Sequence, residues 1–380
     1  LRQGFSLRRL LAVASREGKE LLRDRVRLAF ALLGAMFMMV IFGYGISLDV
    51  ENLAFAVYDQ DQSPQSRAYL EAFRGSRYFA EQAPIHDARQ LHQRLQRSEI
   101  KLALEIPPGF GRDLYAGRQP AVAAWLDGGM PFRAETSRNY VQAVHQANLE
   151  QLAAQSSPAL NQRPAARLET RFRYNQDVVS VNAIGPGVMA LILAFIPAML
   201  TALGVVREKE MGTMVNLYAS PGAISEFLVG KQLPYVALTL LSYLTLVAVL
   251  IWGLGVPLKG SFLALTLGAT AYAFAITAMG LLISAFVQTQ VAAQFLTAIL
   301  CVIITTNFAG VLSPVSTLDG VNFYIAQGFP SSWFQKVSLG VFTKNWQVQW
   351  HTLGVACVVM MGFSVAYLTA ARLFVSKQER

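Results

Sequence analysis

Apolar residues in this chain form long uncharged blocks, separated by polar stretches of very different length. Residues 28–48, 178–206, 232–258 and 260–318 contain no charged side chain. About 20 helical residues cross the roughly 30 Å hydrocarbon core of a bilayer, so each block is long enough to span a membrane. The last block is too long for one helix, and the polar triplet Gln288-Thr289-Gln290 divides it. The pattern predicts six transmembrane helices, at about 28–48, 184–206, 233–256, 262–286, 291–312 and 351–371.

Residues 1–27 have the pattern of an amphipathic interfacial helix. Apolar residues recur at helical spacing, and eight Lys and Arg residues precede the first apolar block. Such a helix lies on an anionic membrane surface with its apolar face down. The alternative is the basic start of a cleaved signal peptide, whose apolar region has about 7–15 residues. Because the run 28–48 is longer than that, we expect a retained first transmembrane helix.

Residues 49–177 differ from the rest of the chain, because their charge is nearly balanced and no apolar run is long enough to cross a membrane. Strand-like and helix-like pieces alternate there. Ser63-Pro64 and Asp87 are typical helix starts, with a capping side chain before the first turn. This pattern predicts an inserted α/β domain. Its strands are predicted at 52–59, 101–107, 121–127 and 168–175, and its helices at 63–73, 88–97 and 132–154.

The positive charge predicts the orientation. The formal net charge is +9, and the surplus lies at the N-terminus and beside the apolar blocks. The positive-inside rule explains that placement better than nucleic-acid binding does. We therefore expect both termini in the cytoplasm, residues 49–177 outside the membrane as an extracytoplasmic domain, and the loop 207–232 in the cytoplasm. The Trp- and Pro-containing segment 313–350 is expected to be an external re-entrant helical hairpin.

Catalytic chemistry is not indicated. Gly230-Lys231 lacks the earlier glycine and the following Ser or Thr of a phosphate-binding loop, so ATP hydrolysis by this chain is not expected. The four histidines have no metal-ligand spacing, which predicts no metal site. No ionisable residue is expected at the middle of a span, which argues against an ion-coupled carrier. With charges confined to span ends, a pathway would suit hydrophobic or amphipathic cargo, or a large cargo that passes between two subunits. The candidate path residues are Phe195, Pro197, Asn307 and Phe308. For Asn307, a hydrogen bond to a neighbouring helix is the alternative to a cargo contact.

The most patterned stretch is REKEMGTMVNLYASPGAISEFLVGKQLP at 207–234, between the second and third predicted spans. It resembles the cytoplasmic loop of ABC-2 type export permeases, the membrane subunits of ATP-driven exporters. That loop reads approximately R-E-[KR]-E-x-G-T-x-E, then a Pro, then a Gly-Lys pair. Val215 departs from the pattern, since the family usually has an acidic residue there. The matching positions are Arg207, Glu208, Lys209, Glu210, Gly212, Thr213, Pro221, Gly230 and Lys231. The inserted domain matches a family subgroup that often has D-x-D-x-S after the first strand, here Asp59, Asp61 and Ser63.

The resemblance implies an export permease in a bacterial inner membrane that moves hydrophobic or amphipathic cargo, as in multidrug efflux. Two separate ATPase subunits would bind ATP and Mg²⁺, and this chain would bind no cofactor. A second permease subunit would complete the pathway, and a periplasmic adaptor and an outer-membrane channel are further expected partners. The loop 207–232 would form a short helix from about Thr213 and dock into the ATPase through its charged residues. The alternative to an exporter is a membrane-anchored sensor or scaffold with an external ligand-binding domain, in which the loop 207–232 would be a spacer.

Overall fold

The computed structural model describes residues 5–45, 52–97, 99–116, 118, 120–127, 131–155, 180–212, 223–311, 315, 318, 320–343 and 350–377. The chain divides into two compact units. The helical unit comprises Leu1–Ser47 and Phe172–Arg380, and the inserted unit comprises Leu48–Arg171.

Six helices of the helical unit are long and apolar enough to cross a membrane, so the predicted polytopic architecture is confirmed. An N-terminal helix, Leu7–Arg23, precedes them. The first, third and fifth spans each contain one π-helical turn, at Phe30–Gly34, Val249–Gly253 and Ile299–Ile303. The spans, numbered first to sixth, are Arg25–Gly45, Ser180–Glu210, Ile224–Gly253, Phe262–Phe286, Gln290–Phe308 and His351–Phe374, the last within the helix Trp350–Lys377.

Short polar side chains start several of these helices. Asp24 separates the N-terminal helix from the first span and accepts a hydrogen bond from the Arg27 amide at 3.1 Å. Ser261 and Thr289 cap the fourth and fifth spans in the same way. Thr289 belongs to the polar triplet that was predicted to divide the long apolar block, and its capping explains why a new helix starts there.

The second span is the core of the helical unit. In its most apolar stretch 94% of the residues are buried, against 22% for the first, fifth and sixth spans. Its 31 residues make it about 46 Å long, which exceeds the hydrocarbon core. Pro197 lies within it, and a Cβ atom on Gly280 of the fourth span would collide with the Ala198 carbonyl oxygen. The missing side chain at Gly280 therefore lets the two backbones meet beside the proline.

The described parts of the region predicted as the loop 207–232 are largely helical. The second span continues to Glu210, and the third span begins at Ile224, where the sequence had predicted a start near 233. Gly212 has a left-handed backbone with φ of 69° and follows the end of the helix. Thr213, Pro221 and the predicted short helix between them lie outside the described residues.

Two helices lie in the segment predicted to be re-entrant. They are Val321–Gln327 and Pro330–Thr343, joined by the short turn at Gly328 and Phe329. The second of these helices is buried, and the Tyr272 ring of the fourth span stacks on its Phe334 at 4.5 Å. The Tyr272 hydroxyl also lies 2.6 Å from Ser331 Oγ. Whether this helical pair re-enters the membrane stays a prediction.

The inserted unit is built on a four-stranded sheet with the order β2-β1-β3-β4. The central strand β1 is parallel to β2 and β3, and β4 is antiparallel to β3. The strands β1 to β4 are Leu53–Asp59, Phe79–Glu81, Leu102–Ile106 and Ala123–Leu126. The helices are Pro64–Arg74, Ala88–Gln96, Phe110–Tyr115 and Pro131–Gln155. The predicted α/β character is confirmed; β2 was not predicted, and the strand predicted at 168–175 lies outside the described residues.

The D-x-D-x-S segment fastens the end of β1 to its surroundings. Asp59 accepts hydrogen bonds from the Asp61 and Gln62 amides and from the Ser66 hydroxyl, which is 2.6 Å away. Asp61 accepts from the amides of Gly109 and Gly111 at 2.7 and 2.9 Å. Hydrogen bonds from a hydroxyl and these amides lower the pKa of Asp61. Ser63 caps the next helix through the Ser66 amide, so the segment serves a structural role in this unit.

Candidate functional site

The Arg-Glu-Lys-Glu segment, Arg207–Glu210, closes the second span. Because successive helical residues point about 100° apart, its four side chains leave the helix in different directions. Arg207 pairs with Asp24 at the start of the first span, with 3.8 Å between Nη1 and Oδ2. Glu208 pairs with Lys231 of the third span at 3.0 Å. One of these partners therefore comes before the second span in the chain, and the other comes after it.

The other two charges contact the ends of the fourth and fifth spans. Lys209 Nζ donates to the Ser284 carbonyl at 2.6 Å, where the last carbonyls of a helix lack partners within it. Glu210 accepts from the Gln290 amide at 2.7 Å and from the Gln290 side chain, and so covers the first turn of the fifth span. A cation at a helix C-terminus and an anion at an N-terminus are each favourable to the helix dipole. The segment thus contacts four different elements.

Lys231 is the centre of a buried charge cluster, which we define as Glu17, Glu208, Lys231 and Tyr235. Its ammonium group lies 2.9 Å from Glu17 Oε2 and 3.0 Å from Glu208 Oε1, and it donates to the Gly204 carbonyl at 3.0 Å. An ammonium has three hydrogens, and these three acceptors use them all. Tyr235 donates its hydroxyl to the second oxygen of Glu17 at 2.9 Å. The Lys231 side chain is only 2% exposed, so this polar group is sealed inside the protein.

The Gly-Lys pair has two distinct tasks. A Cβ atom on Gly230 would lie 3.0 Å from the Leu10 carbonyl oxygen and 2.9 Å from Val13, so this glycine lets the N-terminal helix pack closely on the third span. Lys231 then reaches Glu17 of the same helix. The predicted importance of the pair therefore has a structural basis within the chain.

A second pairing fastens the beginning of the N-terminal helix. Arg9 forms a two-point contact with Glu226, at 2.9 Å from Nε and 3.0 Å from Nη2. Glu226 also accepts from the backbone amides of Ser6 and Ala223. Since Glu226 belongs to the first turn of the third span, that span contacts the N-terminal helix at its first turn through Arg9 and again at Glu17.

The sequence did not single out Glu17, Asp24, Glu226 or Tyr235. One feature could have identified Glu17. It lies on the same helical face as Leu10 and Leu21, so it is a carboxylate on the apolar side of an amphipathic helix. Such a group requires a buried partner, and Lys231 is that partner. The third span begins early enough to include Glu226 and Lys231 near its start. These two residues lie away from its middle, so they do not contradict the prediction that no ionisable residue lies at the middle of a span.

The candidate path residues are spread over two spans. Pro197 is buried and Phe195 is partly buried in the second span. Asn307 and Phe308 lie in the fifth span, where Asn307 is exposed and donates to the Ile303 carbonyl of its own helix at 2.9 Å. Among the described residues, the Asn307 side chain therefore bonds to its own helix and not to a neighbouring one. A role for these four residues in transport stays a prediction.

Within the described residues, no group of three or more His, Cys, Asp or Glu side chains could hold a metal ion. The described part of the chain thus offers charged contacts between helices.

A family model described as ABC-2 family transporter protein matches residues 28–373, most of the helical unit together with the whole inserted unit. The chain belongs to the ABC-2 transporter family. It is 31% identical over 288 residues to the probable multidrug ABC transporter permease YbhS of Escherichia coli strain K12, covering 75% of each chain. It is 24% identical to the probable multidrug ABC transporter permease YbhR of the same strain, over 82% of this chain and 83% of the relative. The inner membrane transport permease YhhJ of that strain is 29% identical over 72% of this chain and 73% of its own.

These relatives confirm the prediction of an ABC exporter membrane subunit. This ABC-2 permease is a multi-pass membrane protein, and the three relatives named above are described as permeases. The Arg-Glu-Lys-Glu segment and the charge cluster are therefore features of a transporter subunit.

Proposed function

We propose that this ABC-2 permease receives energy from separate ATPase subunits through the segment that follows Gly212, and that the Arg-Glu-Lys-Glu segment distributes the resulting movement. The observation that carries the proposal is the set of contacts made by Arg207–Glu210. These four side chains join the second span to the first, third, fourth and fifth spans. A displacement of the end of the second span consequently acts on all of them.

The contacts also suggest which residues of the predicted coupling loop bind the ATPase and which transmit movement. Glu208 and Lys209 are engaged with partners in their own chain, whereas Met211 and Gly212 are exposed. We infer that the ATPase contact begins near Met211 and continues through residues 213–222, which include Thr213 and Pro221. Glu208 and Lys209 would then transmit the movement, a different role from the direct docking expected from the sequence.

The remaining parts of the assembly follow from the family. We propose two ATPase subunits that bind ATP and Mg²⁺, and a second permease subunit that is a copy of this chain or a similar one. We further propose that the chain lies in a bacterial inner membrane with both termini and the Arg-Glu-Lys-Glu segment on the cytoplasmic side. The inserted unit would lie outside, where a periplasmic adaptor and an outer-membrane channel could meet it. The names of YbhS and YbhR support a cargo class of hydrophobic or amphipathic drug-like compounds.

The test separates ATPase binding from coupling. Glu208→Gln keeps the size of the side chain but removes its charge, so it weakens one charge-assisted contact of Lys231 and leaves the exposed residues unchanged. A contact of this kind contributes about 1.5–3 kcal/mol, and we expect cargo-stimulated ATP hydrolysis to fall by roughly tenfold or more. Co-purification with the ATPase should stay at the wild-type level.

A matched control is Glu99→Gln, an exposed carboxylate of the inserted unit that also pairs with basic residues. It should leave both ATPase binding and stimulated hydrolysis unchanged. If Glu208→Gln instead abolishes co-purification and the control does not, Glu208 contacts the ATPase directly. If neither measurement changes, the segment does not transmit energy.

A further inference from the structure

The N-terminal helix has three faces of different chemistry. One face packs on the third span and carries the buried residues Leu10, Glu17 and Leu21. The next face around the helix is apolar but exposed, with Leu7, Leu11 and Leu22 on it. Leu22 is 69% exposed in this chain, although burying a leucine is favourable by about 1.5–3 kcal/mol.

The third face is basic and lies beside the exposed apolar one. It consists of Arg8, Arg16, Lys19 and Arg23, all of which are exposed. None of these four forms an ion pair with any of the residues that the structure describes. They contrast with Arg9, which pairs with Glu226.

An exposed apolar stripe next to a row of unpaired cations fits one occupant better than others, a membrane surface that contains anionic lipid. The boundary of the acyl chains can cover the leucines while the headgroups, a few ångströms away, meet the cations. The helix ends at Arg23, and Asp24 is the one residue between it and the first span, which keeps the helix next to the membrane.

We propose that anionic lipid headgroups bind the basic face of the N-terminal helix and thereby hold Glu17 against Lys231. The buried face places Glu17 at the charge cluster, so the position of the helix on the membrane determines how well Lys231 is paired. The binding of lipid to this helix does not depend on the function proposed above. Only an effect of lipid on energy coupling, through the charge cluster, would rest on that function.

The first experiment measures which lipid surrounds the helix. The full chain, with Cys301 and Cys357 replaced by alanine and Leu11→Cys carrying an environment-sensitive fluorophore, is reconstituted into vesicles. Brominated phosphatidylglycerol or brominated phosphatidylcholine then quenches the fluorophore at equal mole fraction. We expect stronger quenching by phosphatidylglycerol. Each cation that is engaged should favour the binding of this lipid beside the helix over phosphatidylcholine by about fivefold.

Removal of three of the four cations should remove most of the preference. In the triple variant Arg8→Gln, Arg16→Gln and Lys19→Gln only Arg23 remains on the basic face, so the preference for phosphatidylglycerol should fall to about fivefold at most. Equal quenching of the parent protein by both lipids would overturn the proposal. Weak quenching of the parent by either lipid would also overturn it, because the stripe would then be covered by protein.

The matched control changes three exposed cations of the inserted unit, Arg97, Arg112 and Arg118, to glutamine. This control lowers the net charge by the same amount and should keep the full preference for phosphatidylglycerol. Loss of the preference in the control would show that overall charge, and not the basic face, attracts the lipid.

The second experiment tests the connection to the charge cluster without any ATPase. Thermal unfolding is compared in phosphatidylcholine vesicles with and without phosphatidylglycerol. The anionic lipid should raise the Tm of the wild type. Most of the rise should be lost in the triple variant, and the rise should be lost in Glu17→Gln. If Glu17→Gln keeps the full rise while its quenching preference is intact, lipid binds the helix but does not act on Lys231, and that part of the proposal is wrong. Failure of either experiment leaves the proposed ATPase coupling untouched.

Discussion

Two short charged segments, one in each unit, differ in how far along the chain their partners lie. The D-x-D-x-S segment of the inserted unit ends β1. The acceptors of Asp59 are filled by groups two to seven residues away, and those of Asp61 by amides 48 and 50 residues away within the same unit. The Arg-Glu-Lys-Glu segment ends the second span, and the partner of its last residue, Gln290, is 80 residues distant. Asp24, the partner of its first residue, lies more than 180 residues earlier.

The difference teaches what each motif stabilises. Hydrogen bonds to nearby backbone amides fix a turn, and they form as soon as the local chain adopts that turn. Charge pairs between distant helices form only when those helices pack, so they report on the arrangement of the unit as a whole. A change in the first motif should disturb one unit locally, and a change in the second should loosen several helices together.

The largest effect is expected for Lys231→Met. This change leaves Glu17 and Glu208 buried beside each other without the cation that both of them need. Removal of one partner from a buried ion pair costs about 3–5 kcal/mol. Thermal unfolding of the purified protein should show a large decrease in Tm, and Lys259→Met, a lysine between the third and fourth spans, is the control. An unchanged Tm would mean that the cluster is solvated.

A smaller and local effect is expected for Asp59→Ala. The change removes the acceptor of two backbone amides and of the buried Ser66 hydroxyl, at a cost of about 1–3 kcal/mol. Hydrogen exchange should accelerate around β1 and the helix Pro64–Arg74, while the six spans keep their protection. Equal acceleration in the spans would contradict the local role of this motif.

The smallest effect is a pH dependence of the inserted unit. Burial lowers the pKa of His145, whose Nδ1 lies 2.8 Å from the Tyr69 hydroxyl. Below the ordinary value of 6.5 the unfolded chain binds a proton that the folded unit binds less readily. The free energy of unfolding of this unit is therefore at its full value above pH 6.5, and it decreases as the pH falls from 6.5 through the lowered pKa of His145. Protease sensitivity of this unit should rise over that window, and His145→Gln should flatten the dependence.

Much of the fold could be predicted because its determinants are local. Ser63 and Asp87 cap helices where the sequence placed them, and the spans follow the uncharged blocks. The three-residue strand β2 was not predicted, because its residues have no alternation long enough to distinguish a strand from a loop. The extension of the second and third spans into the predicted loop was not foreseen either. Charged residues can continue a helix when other elements neutralise them, as Asp24 and Lys231 do here.

The candidate site was predictable only in part, for a related reason. The residues of the Arg-Glu-Lys-Glu segment and Lys231 were selected by their resemblance to a family motif, which carries no information on partners. Glu17 lies more than 190 positions before Glu208, and only packing of the N-terminal helix on the third span brings them to one lysine. Contacts at such separations depend on the whole arrangement of helices, which local patterns do not encode.

The three helices that form the charge cluster differ in whether they supply hydrogen-bond donors or acceptors. Both donors, Lys231 and Tyr235, belong to the third span, while the acceptors belong to the N-terminal helix and to the second span. A shift of the third span along its axis by one residue, about 1.5 Å, stretches all four of these contacts at once. Movement of either neighbour stretches only its own two. The third span thus takes part in every contact of the charge cluster. The order in which these contacts break depends on which of the three helices moves first.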